Sequence, residues 1–360
     1  MGRVERFPEI FEYLMKLSIE RPITLFIDEF QEFFKVNKSV YSDMQRIWDM
    51  YHTKAHINLI VCGSIFSMMT KIFKDKKEPL YNRQTRFMSI KPFTPAVLKE
   101  IMAEYNPNYT SEDLLALYSF TGGVAKYVQL LVDAGATTKT KMLNHIIKAD
   151  SVFLGEGKAI LIEEFGKDYG VYFSILSAIA RGKTLRSEIE QIVGREIGGY
   201  LTKLEKEYEV ITKNQPIFEK SSTKNVRYTI EDNFFSFWFR FVYKYNYMLE
   251  IENYDAVKTI INRDYETFSG KMLERYFKRV LMESKAYTRI GSWWDRKGEN
   301  EIDIVAENEL NDEAVFIEVK RKEDNFDAIA LNEKVDVFTR ATGKFKDYTV
   351  SQKGLSMTDM

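Results

Sequence analysis

ITLFIDEFQEF, residues 23–33, is a short, mostly apolar run that ends in two carboxylates, Asp28 and Glu29, and passes at once into a helical pattern. A continuous run of this kind marks a strand buried on both faces of a parallel sheet. Such a strand presents the residues at its end to the C-terminal edge of the sheet, where ligands bind in open α/β folds. An aspartate there can hold Mg2+ through a water, and the next glutamate can orient an attacking water. The same residues also make an ordinary helix start, because Asp is a good N-cap and acidic side chains suit a helix N-terminus. The stretch alone leaves both readings open.

Its neighbours favour an α/β core. Residues 4–19 carry Phe7, Ile10, Phe11, Leu14 and Leu17 at helical spacing, and Arg21-Pro22 ends that helix. A helix over about 41–53 leads to a second apolar run, INLIVCG, from Ile57. Strand, helix, strand in this order is a βαβ unit. The second strand ends in Gly63-Ser64, and a helix begins at Ile65. Ser64 can sense a terminal phosphate or can simply cap the helix. Arg83 and Arg86 in PLYNRQTRF can reach a phosphate, or can be surface arginines around a loop. TRFMSIKPF reads as a further extended run, and Pro95 opens a helix through about Tyr105.

Residues 111–149 read as helical, broken by TGG at 121–123. Over 169–242 the pattern changes to three short helices, then EVITK and VRYTI as two strands around a polar turn. Three helices and a two-stranded wing make a winged helix-turn-helix. Its third helix, GREIGGYLTKLEKEYE, sets Arg195, Lys203 and Lys206 against Glu196, Glu205, Glu207 and Glu209, a poor balance for phosphate contact. FWFRFVYKYNYML near 237–249 reads as a buried aromatic helix. A long helix over about 265–283 precedes strands at EIDIVA and AVFIEVK, a helix near 327–340 and a last strand around DYTV.

Fifty-two basic residues against fifty-three acidic ones exclude a global basic field, so any nucleic-acid contact must come from a local patch. The one cysteine, Cys62, excludes an internal disulfide and is expected to be a buried thiol. With only three histidines, a zinc site built from Cys and His is nearly excluded. No apolar run approaches the roughly 20 residues of a membrane span, and MGRVERFPEI has no apolar signal core. The expectation is a cytoplasmic protein with no membrane partner.

ITLFIDEF, LIVCGSIFSMM, PLYNRQTRFMSIKPF and FTGGVAKYVQLL, in this order, resemble successive blocks of the archaeal-type ATPases, a branch of the AAA-related signalling NTPases. The resemblance implies that Asp28 holds Mg2+, Glu29 activates water, Ser64 senses the γ-phosphate of ATP and Arg83 is the motif arginine. It implies a helical-lid motif in which Ala125 replaces a usual proline and Tyr127 is kept. It also implies a winged helix and a C-terminal domain of unknown function. The family's phosphate loop, Gly-x-x-x-x-Gly-Lys-Ser/Thr, is not found. Gly182-Lys183-Thr184 has Ser177 where the first glycine belongs and lies between two helices; GEGKA at 155–159 also fails. The expectation is a nucleotide site incomplete in this chain: a lost segment, a reading frame that starts further upstream, or a degenerate remnant.

The C-terminal part has its own constellation. Asp303 stands on one strand, and Glu318 and Lys320 share a face of the next. Paired strands would bring Asp303 beside Glu318, where two carboxylates can hold a divalent metal and a lysine can orient a water. The bland alternative is a cross-strand salt bridge. The pattern resembles the PD-(D/E)xK nucleases, which implies Glu274 as a third metal ligand on the preceding helix. Met272, Leu273, Tyr276, Phe277 and Val280 are expected to face the core. Trp293-Trp294 read as packing residues, with base stacking as the alternative.

The fold expected is α/β: a partial P-loop NTPase core over 1–100, a helical lid over 101–165, a winged helix-turn-helix over 166–245, and a restriction-endonuclease-like α/β domain over 246–360. Its leading function is that of an archaeal-type ATPase acting on DNA. The alternatives are a metal-dependent DNA nuclease and a non-catalytic remnant that binds another protein or its own copy.

Overall fold

A computed structural model describes residues 6–37, 39–220 and 222–360. Val4 and Glu5, at the start of the expected first helix, lie outside the described residues. The chain is mixed α/β and divides into two compact units. One comprises the residues up to Ile90 together with Ile162–Gly166; the other comprises Lys91–Leu161 and Lys167–Met360.

In the first unit the helix Phe7–Glu20 carries Pro8 in its first turn, where the missing N–H costs nothing, and stops before Pro22. β1 (Ile23–Ile27) and β2 (Ile57–Val61) pair in parallel, Ile23 with Ile57 through Ile27 with Val61. The helix Val40–Tyr51 joins them, completing the βαβ unit. Phe11, Met15, Phe30, Met44 and Ile47 form the core beneath the strands, against Leu25, Ile27, Leu59 and Val61.

Only one face of this pair is covered, which corrects the expectation of strands buried on both faces. Thr24, Phe26, Asn58 and Ile60 alternate outward, and Phe26 is 60% exposed. Side chains alternate along a strand, so an apolar run fills both faces whether or not both are packed. TRFMSIKPF, expected as an extended run, pairs with no strand among the described residues.

In the second unit, Pro95–Tyr105, Ser111–Thr121, Ala125–Asp133 and Lys139–Ile146 are helices. The break at TGG has a steric cause: Gly123 sits at φ +78°, and a Cβ there would lie 2.5 Å from the Phe93 carbonyl oxygen. Ala125 opens its helix at the position where a proline is also at home. After a further helix, Val152–Phe165, come three helices (Tyr169–Ala180, Arg186–Val193, Gly198–Lys206), then the antiparallel pair β3 (Ile211–Asn214) and β4 (Arg227–Ile230). Gly182–Thr184 lies in the turn between the first two of these helices. The aromatic stretch is helical, with a π-helical segment Trp238–Tyr243 that buries Trp238, Phe239 and Phe241.

The long helix runs from Tyr254 to Ser284, further than its apolar stripe shows. It buries Met272, Leu273, Tyr276 and Phe277, whereas Val280 is 37% exposed and departs from the expected core. A four-stranded sheet follows in the order β5 (Arg289–Trp294), β6 (Glu301–Asn308), β7 (Glu313–Val319), β8 (Thr349–Leu355). The first three strands are antiparallel, and β8 lies parallel to β7 after the crossover helix Ala328–Thr342. The tryptophan pair forms the end of β5, buried as packing residues.

Candidate functional site

The parallel ladder of β1 and β2 continues past both strand ends. Cys62 N–H donates to the Ile27 carbonyl at 3.0 Å, and Phe30 N–H returns to the Cys62 carbonyl at 2.8 Å. This clamp folds the chain sharply at Asp28-Glu29. Glu29 takes a left-handed conformation, φ 47°, uncommon for a residue with a side chain. The outcome is that Asp28, Glu29, Gln31, Cys62 and Ser64 share the C-terminal edge of the pair.

Ser64 Oγ donates to Glu29 Oε2 at 2.8 Å, and Gln31 Nε2 donates to the same oxygen. These bonds, that of Gln31 foremost, hold the Glu29 carboxyl below the ordinary glutamate range. Asp28 Oδ1 accepts from the Cys62 thiol at 2.7 Å and from the Glu29 amide at 2.9 Å, which lowers the Asp28 carboxyl as well. Cys62 is therefore not the buried thiol expected of an apolar run. It is partly exposed at the strand end, and its bond to Asp28 pushes the thiol up.

The sequence reading missed Gln31. It is 1% exposed, and its Oε1 is pressed against Gly63, where any Cβ would stand 2.0 Å from that oxygen. Gly63 is thus what makes room for the amide that holds Glu29. Glu164 was missed too. Its carboxylate accepts from Phe66 N–H and Ser67 Oγ, both at 2.6 Å, and so caps the helix Phe66–Lys74 that follows Ser64. Its contact is almost a hundred residues distant in sequence, beyond any local signal. Arg83 is bidentate to Asp49 at 2.9 and 2.8 Å and bonds the Pro79 and Tyr81 carbonyls of its own loop.

The second constellation lies in the second unit. The β6–β7 register pairs Ile304 with Ile317, which sets Asp303 across from Glu318. Asp303 Oδ2 accepts from the Val319 amide at 2.8 Å. Glu318, 7% exposed, is bridged by Lys320 at 2.7 Å and by Lys334 at 3.0 Å. Glu274 faces Asp303 from the long helix and is bonded by Lys271 at 3.0 Å. Burial, with Asp303 adding repulsion, pushes the Glu274 carboxyl up to about 7. Burial raises Asp303 as well. Glu274 and Glu318 are thus ion-paired with lysines and Asp303 is hydrogen-bonded by an amide, and no three acidic, His or Cys side chains among the described residues form a group able to hold a metal. Lys271 and Lys334 complete this network and were not singled out from the sequence, because a lysine at helical spacing reads as a solvated charge.

The parallel pair thus sets acidic, thiol and hydroxyl groups at one edge. Residues 4–131 match an ATPase domain predominantly from Archaea, and residues 238–349 match a domain of archaeal and bacterial proteins of unknown function. An uncharacterized protein of Methanocaldococcus jannaschii is 33% identical over 314 residues, 83% of this chain and 67% of that protein. A second uncharacterized protein of the same organism is 34% identical over 56 residues, 16% of this chain and 54% of that protein. Among solved structures, a Walker-type ATPase of Pyrococcus abyssi is 19% identical, with a TM-score of 0.48 over 65% of this chain and 68% of that one. The chain belongs to the archaeal ATPase family and carries both the ATPase domain and the C-terminal domain of unknown function. Among the described residues no helix is long and apolar enough to cross a membrane.

Two outcomes are expected. Gln31→Leu removes the amide but keeps the bulk, so the Glu29 carboxyl, followed by carbon NMR, should titrate at higher pH than in the parent. A carboxylate lowered by folding contributes stability at neutral pH that is lost as pH falls through its folded value, so this variant should also lose part of the parent's decline in stability on acidification. Glu274 has the opposite sign. Raised by burial, it binds its proton more tightly when folded, so stability falls as pH rises from about 4.3 to about 7. In EDTA, Glu274→Gln should flatten that fall, stabilising the protein at pH 8 relative to pH 4 by roughly 1–3 kcal/mol in urea titrations.

Proposed function

We propose that the edge formed by Asp28, Glu29 and Ser64 is the metal- and water-handling part of an ATP-hydrolysing site. The observation that carries this is the 2.8 Å bond from Ser64 to Glu29, which joins the ends of two parallel strands at the place where open α/β sheets bind ligands. Asp28 keeps Oδ2 uncommitted, a hard oxygen of the kind Mg2+ takes, with the remaining positions left to water and phosphate. When bound, Mg2+ would neutralise charge on the β- and γ-phosphates. Glu29 keeps Oε1 uncommitted, and Gln31 fixes the other oxygen, so the carboxylate is held ready to orient a water. Ser64, donor to Glu29, would offer its hydroxyl to a γ-phosphate oxygen when nucleotide is bound. The 360 residues hold no strand-borne Gly-x-x-x-x-Gly-Lys-Ser/Thr loop, so turnover requires a form of the protein in which such a loop is supplied.

A second reading follows from Asp303 and Glu318 across β6 and β7, with Glu274 facing them: a PD-(D/E)xK-like site that cleaves DNA with Mg2+. A metal there would have to displace Lys271 from Glu274 or a lysine from Glu318. The three helices and the β3–β4 pair would then serve as a winged helix, placed against DNA or against another protein.

In a form that carries a phosphate loop, Glu29→Gln should bind Mg-ATP in calorimetry yet lose hydrolysis by about a hundredfold or more. Unchanged hydrolysis by that variant contradicts the proposal. For the second reading, plasmid nicking with Mg2+ or Mn2+ should disappear in Asp303→Ala and Lys320→Ala; equal cutting by both variants and the parent removes the assigned site. No heat with Mg-ATP and no nicking would leave a binding role.

A further inference from the structure

We propose that the cavity beside Glu274 and Asp303 is a seat for a single nucleotide phosphate, supplied by a free nucleotide or by the end of a single strand, and that it excludes duplex. The cavity, about 830 Å³, lies between the β3–β4 hairpin, one face of the long helix and β5. Its walls carry seven basic side chains against four acidic ones, in a chain whose overall charge is -1. A local excess of this kind marks a site for an anion.

The seat itself is defined by Arg275 and Lys278, one turn apart on the long helix. Lys278 has no hydrogen bond or ion pair among the described residues, and Glu231 and Glu274 act on it only through space. Arg275 spends one nitrogen on the Asn233 side chain at 3.0 Å and the Glu231 carbonyl at 3.3 Å, and meets no carboxylate. Burial disfavours the charge on Lys278, and Arg275 repels it, while no carboxylate makes contact with either cation. An anion between them relieves both penalties, and the planar guanidinium suits two phosphate oxygens. Of the other cations of the wall, Lys271 pairs with Glu274, Arg227 with Glu301 and Arg289 with Glu307, at 3.0, 2.8 and 3.7 Å, while Arg240 bonds the Ala180 carbonyl and Lys213 is exposed.

The size of the ligand follows from how the cavity is closed. The hairpin is latched to β5 by Ile217 N–H to the Ser292 carbonyl at 2.9 Å and by Trp294 Nε1 to Asn225 at 2.9 Å. Gly291 lets it approach, for a Cβ at 291 would stand 2.9 Å from Ile217. Arg227 lies 4.5 Å over the Trp294 ring and closes the same side. A volume of this order holds a small ligand. A double helix, whose major groove alone is about 12 Å wide, does not enter without breaking the latch.

The assignment of Glu274 and Asp303 as metal ligands rests on the second reading above; the phosphate seat does not. The test is therefore binding, read in EDTA, where no metal-dependent cleavage proceeds. Fluorescence anisotropy of a labelled, 5′-phosphorylated oligothymidylate is compared with the same strand in a blunt duplex and with displacement by AMP. The single strand should bind, and the duplex and Lys278→Met should each bind about tenfold more weakly or worse. Arg275→Lys, which keeps the charge but loses the fork, should weaken binding less, and Lys353→Met on β8 should not change it. Displacement by AMP identifies the seat with a free nucleotide; binding of the strand without displacement identifies it with a strand end. Equal binding of duplex and single strand, parental binding by Lys278→Met, or no binding of either probe overturns the proposal. Binding that persists when nicking is absent removes only the nuclease reading.

Discussion

The parallel ladder between Ile23–Ile27 and Ile57–Val61 is the constraint on which the first unit depends. Five paired residues fix the register, and the two further backbone bonds of Cys62 carry that register past the strand ends. Without them Asp28 and Ser64 would be residues of two unrelated loops. With them, the carboxylates of one strand accept from the thiol and hydroxyl of the other. A slip of one residue in either strand would turn its inward pair, Leu25 and Ile27 or Leu59 and Val61, away from Phe11, Met44 and Ile47, so the hydrophobic core enforces the same register that assembles the site.

The sequence made this arrangement legible in outline. Strand, helix, strand could be read from periodicity, and Asp28-Glu29 from their place at the end of an apolar run. Gln31 was hidden because the helical pattern assigns no role to a buried amide; only the space left by Gly63 reveals it. The burial of the strands was misread for a related reason. Phe26 and Ile60 are as apolar as their inward neighbours, and hydrophobicity alone does not tell which face meets the helices. Cys62 was misread with them, since its exposure comes from standing at the edge of the ladder rather than within it.

In the C-terminal part, residue types were more legible than their state. Asp303, Glu318 and Lys320 come together as strand alternation and antiparallel pairing require. Glu318 takes a further partner, Lys334, from the crossover helix, and Glu274 is paired with Lys271 of its own helix. A buried carboxylate is costly unless paired, and these lysines supply the pairing. Arg275 and Lys278, on neighbouring turns of the long helix, have no ion-pair partner among the described residues, and this is visible only once the hairpin and β5 have closed a cavity around them.

The central claim is that the ends of β1 and β2 form one electrostatic site. Cys62 reports on it directly, because it is the chain's one cysteine and its thiol donates to Asp28. The rate of Cys62 modification by an aromatic disulfide, followed against pH, gives the midpoint of its thiolate. The midpoint should lie above that of an ordinary cysteine in the parent and fall in Asp28→Asn, where the carboxylate that disfavours the thiolate is gone. An identical midpoint in the two proteins would contradict the claim.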